Sequence, residues 1–195
     1  EVNISAIPFK PTLERVDKQI LRLTRLITEM LDLSRLEESK LDLKKETFDL
    51  NTLVNETIQD LQHTSTSHTI NLSQNFGANV KGDRDRIQQV LINFINNAIK
   101  YSPDKKLVEI MISEAENNQV KISVKDFGIG INKVDQSKIY ERFYRVSGKN
   151  EKNFSGFGIG LYIAKEIIER HQGTISVESK IGQGSTFSFS LPIEN

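Results

Sequence analysis

The stretch Gly156-Phe157-Gly158-Ile159-Gly160-Leu161 has the composition of a loop that binds phosphate. Glycines at alternate positions let backbone N–H groups approach a phosphate chain without clashes from Cβ atoms. The helical pattern that follows, from Tyr162 to about His171, would direct its positive N-terminal end toward the same anion. A glycine-rich loop alone is weak evidence, so the neighbouring motifs decide what it binds.

Three common nucleotide motifs are excluded by their context. The dinucleotide fingerprint needs G-x-G-x-x-G directly after a hydrophobic strand, whereas this loop reads G-x-G-x-G after the polar stretch 147–153. A Walker loop ends in Gly-Lys-Ser/Thr, but Gly160 is followed by Leu161. Asp126-Phe127-Gly128 spells the magnesium motif of protein kinases, yet the chain has no His-Arg-Asp loop before it and no Val-Ala-Ile-Lys strand.

A polar stripe runs along the helix that the pattern predicts at residues 84–101. Asn93, Asn97 and Lys100 fall at i, i+4 and i+7, beside the apolar stripe of the same helix. Amide oxygens can coordinate Mg²⁺ or its water shell, and a lysine can offset phosphate charge. A solvated polar edge explains the same three residues equally well when the helix is considered alone.

The segment Asp126-Phe127-Gly128-Ile129-Gly130-Ile131 leaves a predicted strand at 120–124. A carboxylate at a strand end can accept a hydrogen bond from an exocyclic amine, and two glycines admit a flat ring. A tight turn with a capping Asp accounts for these residues as well. Residues 139–145, which combine aromatics and arginines, predict a surface helix when taken alone.

Alternating and helical patterns predict the elements that position these motifs. Strands are predicted around 108–112, 120–124, 175–177 and 187–191, with a hairpin turn at 116–118, and helices at 51–62, 84–101 and 158–172. Strands with one apolar face and helices to cover it indicate an α+β sandwich.

A heptad pattern precedes this domain. Apolar residues recur at spacings of 3 and 4, at Leu13, Val16, Ile20, Leu23, Ile27 and Met30. They predict a long helix at 13–41 that packs against partner helices, after a loop or tail at 1–12. An ordinary amphipathic core helix is the alternative, but the length favours a bundle.

Composition limits the classes of function. The 195 residues carry 26 basic and 26 acidic side chains, so overall charge gives no case for binding nucleic acid or an anionic membrane. No cysteine is present for disulfides or a thiolate metal site, and no apolar run approaches the ~20 residues of a membrane span. Because the chain begins with Glu1, we expect it to be a piece of a longer protein.

Together and in this order, the motifs resemble the catalytic and ATP-binding domain of sensor histidine kinases, in the ATPase superfamily shared with gyrase-type and Hsp90-type proteins. The resemblance covers about 13–195, with an N box at 88–103, glycine boxes at 126–130, 156–161 and 182–187, and an F box at 140–145. It implies a two-layer α/β sandwich preceded by a long helix. The tail and helix of a dimerisation and phosphotransfer domain would occupy 1–45, and the ATP-binding domain 46–195.

The resemblance also implies a role for each matched residue. The implied nucleotide-binding set is Asn93, Asn97, Lys100, Tyr101, Asp126, Gly128, Gly130, Gly156, Gly158, Gly160, Leu161 and Thr186. Within it Asn97 is the Mg²⁺ ligand, Asp126 binds the adenine amino group and Tyr101 flanks the base. Thr186 bridges to Asp126 through water. The implied catalytic residues are Asn93, Lys100 and Arg145, and residues 146–155 form a lid over ATP.

The helix at 23–37 resembles the second helix of the family's dimerisation hairpin, and the first helix, which carries the phospho-accepting histidine, is missing. His63, His68 and His171 lack the acceptor context, so we expect them to be structural or solvent-facing, with His171 a cation at a helix end. The resemblance therefore implies ATP and Mg²⁺ as cofactors and a response-regulator receiver domain as partner. It also implies a homodimeric parent, a cytoplasmic location for this portion, and a membrane contact, if any, only through upstream segments.

Two other classes of function remain open at this stage. A related anti-sigma-type serine kinase shares the ATP-binding motifs, but Leu33-Ser34-Arg35-Leu36 on a heptad helix argues against it. A module that binds nucleotide for regulation without catalysis stays possible, because the acceptor histidine is absent.

Overall fold

The computed structural model describes residues 9–37, 43–64, 67–146 and 157–194. The chain divides into two compact units, Glu1–Leu41 and Asp42–Asn195. In the described part of the chain, no helix is both long and apolar enough to cross a membrane.

The first unit contains helix α1 (Phe9–Glu37). It begins four residues before the predicted start at Leu13, so the prediction of a loop at 9–12 is wrong. Pro11 is compatible with the first turn of a helix, where its missing N–H needs no partner. The predicted extension to residue 41 and the tail at 1–8 lie outside the described residues. Six apolar side chains of the heptad are exposed on α1: Leu13, Val16, Ile20, Leu23, Ile27 and Met30.

The second unit is built on a five-stranded sheet. Its elements in chain order are β1 (Glu46–Asp49), α2 (Leu50–Thr64), β2 (Thr69–Gln74), β3 (Asn79–Gly82), α3 (Arg84–Tyr101), β4 (Leu107–Ala115), β5 (Gln119–Asp126), α4 (Lys133–Gln136), α5 (Gly160–Arg170), β6 (Thr174–Lys180) and β7 (Gly184–Pro192). The strand order is β2-β4-β5-β7-β6, and β1 pairs with β3 in a separate two-stranded sheet. The predicted α+β class is confirmed.

The core lies between one face of this sheet and the helices. Phe94 of α3 contacts Phe187 and Phe189 of β7, with ring centroids 5.5 and 5.9 Å apart. The opposite face carries small polar side chains, among them Ser123 and Ser188, whose hydroxyl oxygens are 2.9 Å apart. Successive residues of β5 and β7 therefore alternate between an apolar, helix-covered face and a polar face.

The predicted strands of the meander are present, and the turn at 116–118 has the expected geometry. Asn117 and Asn118 have φ values of 60° and 56°, which a primed hairpin turn requires and asparagine tolerates. The sequence did not reveal β1, β3 or the edge strand β2, which runs parallel to β4. These strands are short or polar, and their partners are distant in the chain.

The predicted surface helix at 139–145 is wrong. This segment consists of turns, and it follows the single-turn helix α4, which is capped by Asn132. Phe143 has a φ of 61°, which is incompatible with a continuing right-handed helix.

Candidate functional site

Helix α3 brings two of the predicted amide side chains together. Asp83 caps the helix by accepting a hydrogen bond from the N–H of Arg86, and the apolar stripe then fixes its rotation against the sheet. Asn93 and Asn97, half-buried beside that stripe, are joined by a 3.2 Å hydrogen bond from Nδ2 of Asn97 to Oδ1 of Asn93. This bond leaves Oδ1 of Asn97 as an acceptor.

The start of α5 lies against Asn93. A Cβ atom on Gly160 would come within 2.9 Å of Oδ1 of Asn93, so a larger residue there would displace the Asn93 amide. Gly158 has a φ of 72°, and a Cβ there would lie 2.5 Å from the carbonyl oxygen of Tyr144. Ile159 occupies the N-cap position of α5. Because its side chain cannot accept a hydrogen bond, it does not cap the N–H groups of the first turn.

Asp126 is the buried acidic group of the site. It is only 3% exposed and ends β5. Its Oδ1 accepts the N–H of Gly128 at 2.8 Å, and both the N–H and the hydroxyl of Ser185 donate to the carboxylate. Burial raises the pKa of Asp126, and these three hydrogen bonds offset only part of that effect. The carboxylate is therefore held in one orientation by its neighbours.

Main-chain segments pack closely around this carboxylate. A Cβ on Gly128 would lie 2.0 Å from the carbonyl oxygen of Tyr101, which also accepts the N–H of Ile129 at 3.1 Å. Gly130 has a φ of 69°, and a Cβ there would lie 2.1 Å from the carbonyl oxygen of Lys180. The glycines of this motif thus allow the segment after β5 to pack directly against two other main chains.

Two of the remaining predicted residues, Lys100 and Tyr101, contact each other. Nζ of Lys100 donates to the Tyr101 hydroxyl at 2.9 Å and lies 4.5 Å from the centre of its ring. Leu161 is half-buried in the first turn of α5, and Arg145 is exposed. Gly156 and almost all of the predicted lid at 146–155 lie outside the described residues.

Thr186 is not beside Asp126. Strand β7 pairs Phe187 with Val124 and Thr186 with Lys125, so Thr186 falls on the polar face of the sheet. Ser185, which shares the face of Phe187, donates to Asp126 instead. The predicted role of Thr186 is therefore wrong, and the sequence did contain the signal: the alternating Phe187, Phe189 and Leu191 assign Ser185 to the buried face.

His171 is not a cation at a helix end. It is 4% exposed, and its Nε2 accepts the N–H of Asp83 at 2.8 Å while Nδ1 lies 2.7 Å from the carbonyl oxygen of Ile167. An unprotonated Nε2 requires the neutral ring, and burial lowers the pKa of His171 accordingly. The prediction that His171 has a structural role fits this geometry. The prediction that it interacts with the helix dipole as a cation is wrong.

Residues 82–195 match the family described as histidine kinase-, DNA gyrase B- and HSP90-like ATPases. The chain belongs to this family. Over 174 residues, or 88% of its length, it is 37% identical to the sensor histidine kinase WalK of Bacillus subtilis, of which it spans 28%. The predicted histidine-kinase resemblance is thereby confirmed at the level of the ATPase domain.

Solved structures of the family have the same fold. The histidine kinase ThkA, crystallised in complex with the response regulator TrrA, is 25% identical, with a TM-score of 0.73 over 97% of this chain and 52% of that one. Full-length ShkA in complex with AMPPNP is 23% identical, with a TM-score of 0.78 over 95% of this chain and 39% of that one. At this identity the second likeness shows the fold alone.

Proposed function

We propose that this chain is the ATP-binding, phosphoryl-donating part of a sensor histidine kinase. The observation that carries the proposal is the buried Asp126, oriented by Gly128 and Ser185 and lying beside a main-chain wall of glycines. A fixed carboxylate of this kind suits the exocyclic amine of adenine, and the close packing of Gly128 and Gly130 against neighbouring main chains holds the segment beside it in place. Membership of an ATPase family supports ATP as the nucleotide.

The phosphate end of the nucleotide would lie at the start of α5. There Gly158 and Gly160 let the main chain lie close to Tyr144 and Asn93, and the N–H groups of the first turn of α5 would bind the anion. Lys100 would exchange the neutral hydroxyl of Tyr101 for a phosphate oxygen, a charge-assisted and therefore stronger partner. Gly156, Leu161 and Arg145 would complete the phosphate contacts.

The amide of Asn97 fits a magnesium ion. Its Nδ2 is engaged by Asn93, so its Oδ1 is the atom available to a cation. Oxygen ligands from one or two side chains plus phosphates are the usual environment of Mg²⁺ in phosphoryl transfer, where the ion neutralises charge between phosphates. The chain's own residues would contribute by binding and orienting the nucleotide.

The proposal extends to the parent protein. The exposed heptad of α1 supports the tail and second helix of a dimerisation hairpin at residues 1–45, a homodimeric parent and a catalytic domain at 46–195. The ThkA complex with its response regulator supports a receiver domain as the partner that takes the phosphoryl group from the histidine. ATP and receiver domains put this portion in the cytoplasm, and membrane attachment would come only from segments upstream.

A two-step experiment tests the proposal. Calorimetry with ADP and Mg²⁺ should show binding in the micromolar range, and no binding would contradict the nucleotide site. Labelled ATP should then transfer acid-labile label to a separate protein that supplies the histidine-bearing helix hairpin. Binding without transfer to any such hairpin would favour the alternative of a non-catalytic nucleotide-binding module.

A further inference from the structure

A second buried imidazole, His68, lies near the nucleotide end of α3. It is 6% exposed, and its Nε2 lies 2.9 Å from the carbonyl oxygen of Ser102. Because a carbonyl only accepts, Nε2 carries the proton and donates, and Nδ1 lies 2.9 Å from the hydroxyl oxygen of Ser67. Both ring nitrogens thus have defined partners.

The main chain that carries His68 is itself anchored. Nε2 of Gln62 on α2 donates to the carbonyl oxygen of His68 at 2.9 Å, and Oε1 of Gln62 accepts the N–H of Ile70 at 2.8 Å. The N–H of Thr69 donates to the carbonyl oxygen of Lys106 at 2.9 Å. The imidazole therefore projects from a fixed point at the start of β2.

Its partner Ser102 ends α3. The Ser102 hydroxyl donates to the carbonyl oxygen of Ala98 at 2.6 Å, and its own carbonyl also accepts the N–H of Lys105 at 3.3 Å. The last turn of α3 is thus closed by one buried serine, and His68 holds the outward carbonyl of that serine.

On its other side, the peptide between Tyr101 and Ser102 contacts Gly128, which lies in the candidate adenine site. A Cβ on Gly128 would lie 2.0 Å from the Tyr101 oxygen and 2.8 Å from Cα of Ser102. The N–H of Gly128 in turn donates to Asp126 at 2.8 Å. A displacement of this peptide would therefore disturb its packing against Gly128 and its hydrogen bond from the N–H of Ile129, and through Gly128 a hydrogen bond to the carboxylate.

We propose that His68 is a positioning residue for the nucleotide site. It does not touch the nucleotide. Its hydrogen bond to the carbonyl oxygen of Ser102 holds Ser102 in place, and the peptide that joins Tyr101 to Ser102 is the one against which Gly128 packs. His68 thereby positions Gly128 relative to Asp126. The inference rests on the proposed function, in which Asp126 and Gly128 bind adenine. A merely structural imidazole would affect stability and leave the adenine site unchanged.

Substitutions at His68 separate these possibilities, with His171 as a matched control. His68→Leu keeps bulk but removes the donor, whereas His68→Gln retains an N–H that can reach Ser102. His171→Leu removes the other buried imidazole, at the opposite end of α3, where it bonds Asp83. The measurements are the dissociation constant of Mg·ADP, the melting temperature, and the ¹H–¹⁵N NMR shifts of Gly128 and Ile129 without nucleotide.

We expect His68→Leu to weaken ADP binding about tenfold, to shift both amide signals, and to be largely rescued by glutamine. His171→Leu should lower the melting temperature while ADP affinity stays within about twofold of the wild type. Wild-type affinity and unshifted amides in His68→Leu would overturn the proposal, as would equal losses of affinity in both leucine variants.

If His68→Leu fails to fold, His68→Asn takes its place, since its shorter amide remains polar but cannot reach Ser102. It should give the same amide shifts, and unchanged shifts would overturn the proposal. The shifts are measured without nucleotide, so they test the positioning role even if ADP binds nowhere on the chain. Absence of ADP binding in the wild type would refute the proposed function instead.

Discussion

Replacing Asp126 with asparagine removes the charge of the buried carboxylate while keeping its shape. The wild-type carboxylate accepts from two N–H groups and one hydroxyl, contributed by Gly128 and Ser185. An amide has a single acceptor oxygen and presents an NH₂ group, so it cannot satisfy all three donors and also accept from adenine. We expect Asp126→Asn to lose affinity for adenine nucleotides.

The size of the loss follows from the strength of one charge-assisted hydrogen bond. Such bonds contribute about 1.5–3 kcal/mol, which corresponds to roughly a ten- to hundredfold weaker dissociation constant. Stability should change much less. Burial raises the pKa of Asp126, which means that the folded state disfavours the ionised group, and a neutral amide removes this cost. The relief offsets the hydrogen bond that the amide cannot make.

Calorimetry with two nucleotides makes the assay specific for the base. IDP carries a carbonyl oxygen where ADP carries the exocyclic amine, so the wild type should prefer ADP. In Asp126→Asn the amide N–H can donate to that carbonyl, and the preference should shrink or reverse. Denaturation by urea, run in parallel, checks that the variant is folded.

The reasoning fails if Asp126→Asn binds ADP as tightly as the wild type. It also fails if ADP and IDP weaken equally while the protein remains folded, because the carboxylate would then act on the fold of the site and not on the base. A large loss of stability would contradict the argument that the buried charge is costly.

Three further predictions address the corrected residues and the whole chain. Ser185→Ala should weaken ADP binding several-fold in calorimetry, because it removes a donor that orients the carboxylate of Asp126. Thr186→Val, on the polar face of the sheet, should leave the affinity for ADP unchanged. A larger loss in Thr186→Val than in Ser185→Ala would contradict the assigned faces. Burial lowers the pKa of His171 below its ordinary 6.5, so the unfolded chain takes up the proton first as the pH falls. The contribution of His171 to the free energy of unfolding should therefore be constant above about pH 6.5 and decrease below it. Urea denaturation should show this loss, at most about 1.4 kcal/mol per pH unit, in the wild type and not in His171→Gln; parallel curves would refute it. Incubated alone with labelled ATP, the chain should gain no acid-labile label, because none of its three histidines has the acceptor context.

Local patterns in the sequence predicted most of the main sheet and the order of the motifs. The alternation around Val124 and Phe187 and the stripe containing Phe94 are properties of neighbouring residues, and the structure packs these side chains together. Strand β2 could not be found in this way. Its alternation contains only two apolar residues, Ile70 and Leu72, and it exists because a parallel partner, β4, lies more than thirty residues further along the chain.

The positions of the two corrected site residues show which information was missing and which was overlooked. Thr186 and Ser185 differ by one position, and a shift of one residue moves a side chain to the other face of a strand. The buried Phe187 fixes that choice from sequence alone, so this error was avoidable. The pairing of His171 with Asp83 was not avoidable, because 88 residues separate the two in the chain and only the packing of α5 against α3 brings them together.

The main chain builds much of this site. The carboxylate of Asp126 and the amides of Asn93 and Asn97 can be recognised from their residue types, because their chemistry is in the side chain. Glycines such as Gly128 and Gly160 contribute because they have no Cβ. Their role depends on which main chain or amide lies within 3 Å of the position that a Cβ would occupy. A site of this kind is as sensitive to the residues that hold those main chains in place as to the residues that touch the ligand. Buried hydrogen-bonding side chains at the C-terminal end of α3, such as His68, are therefore where substitutions remote from the nucleotide should alter its binding.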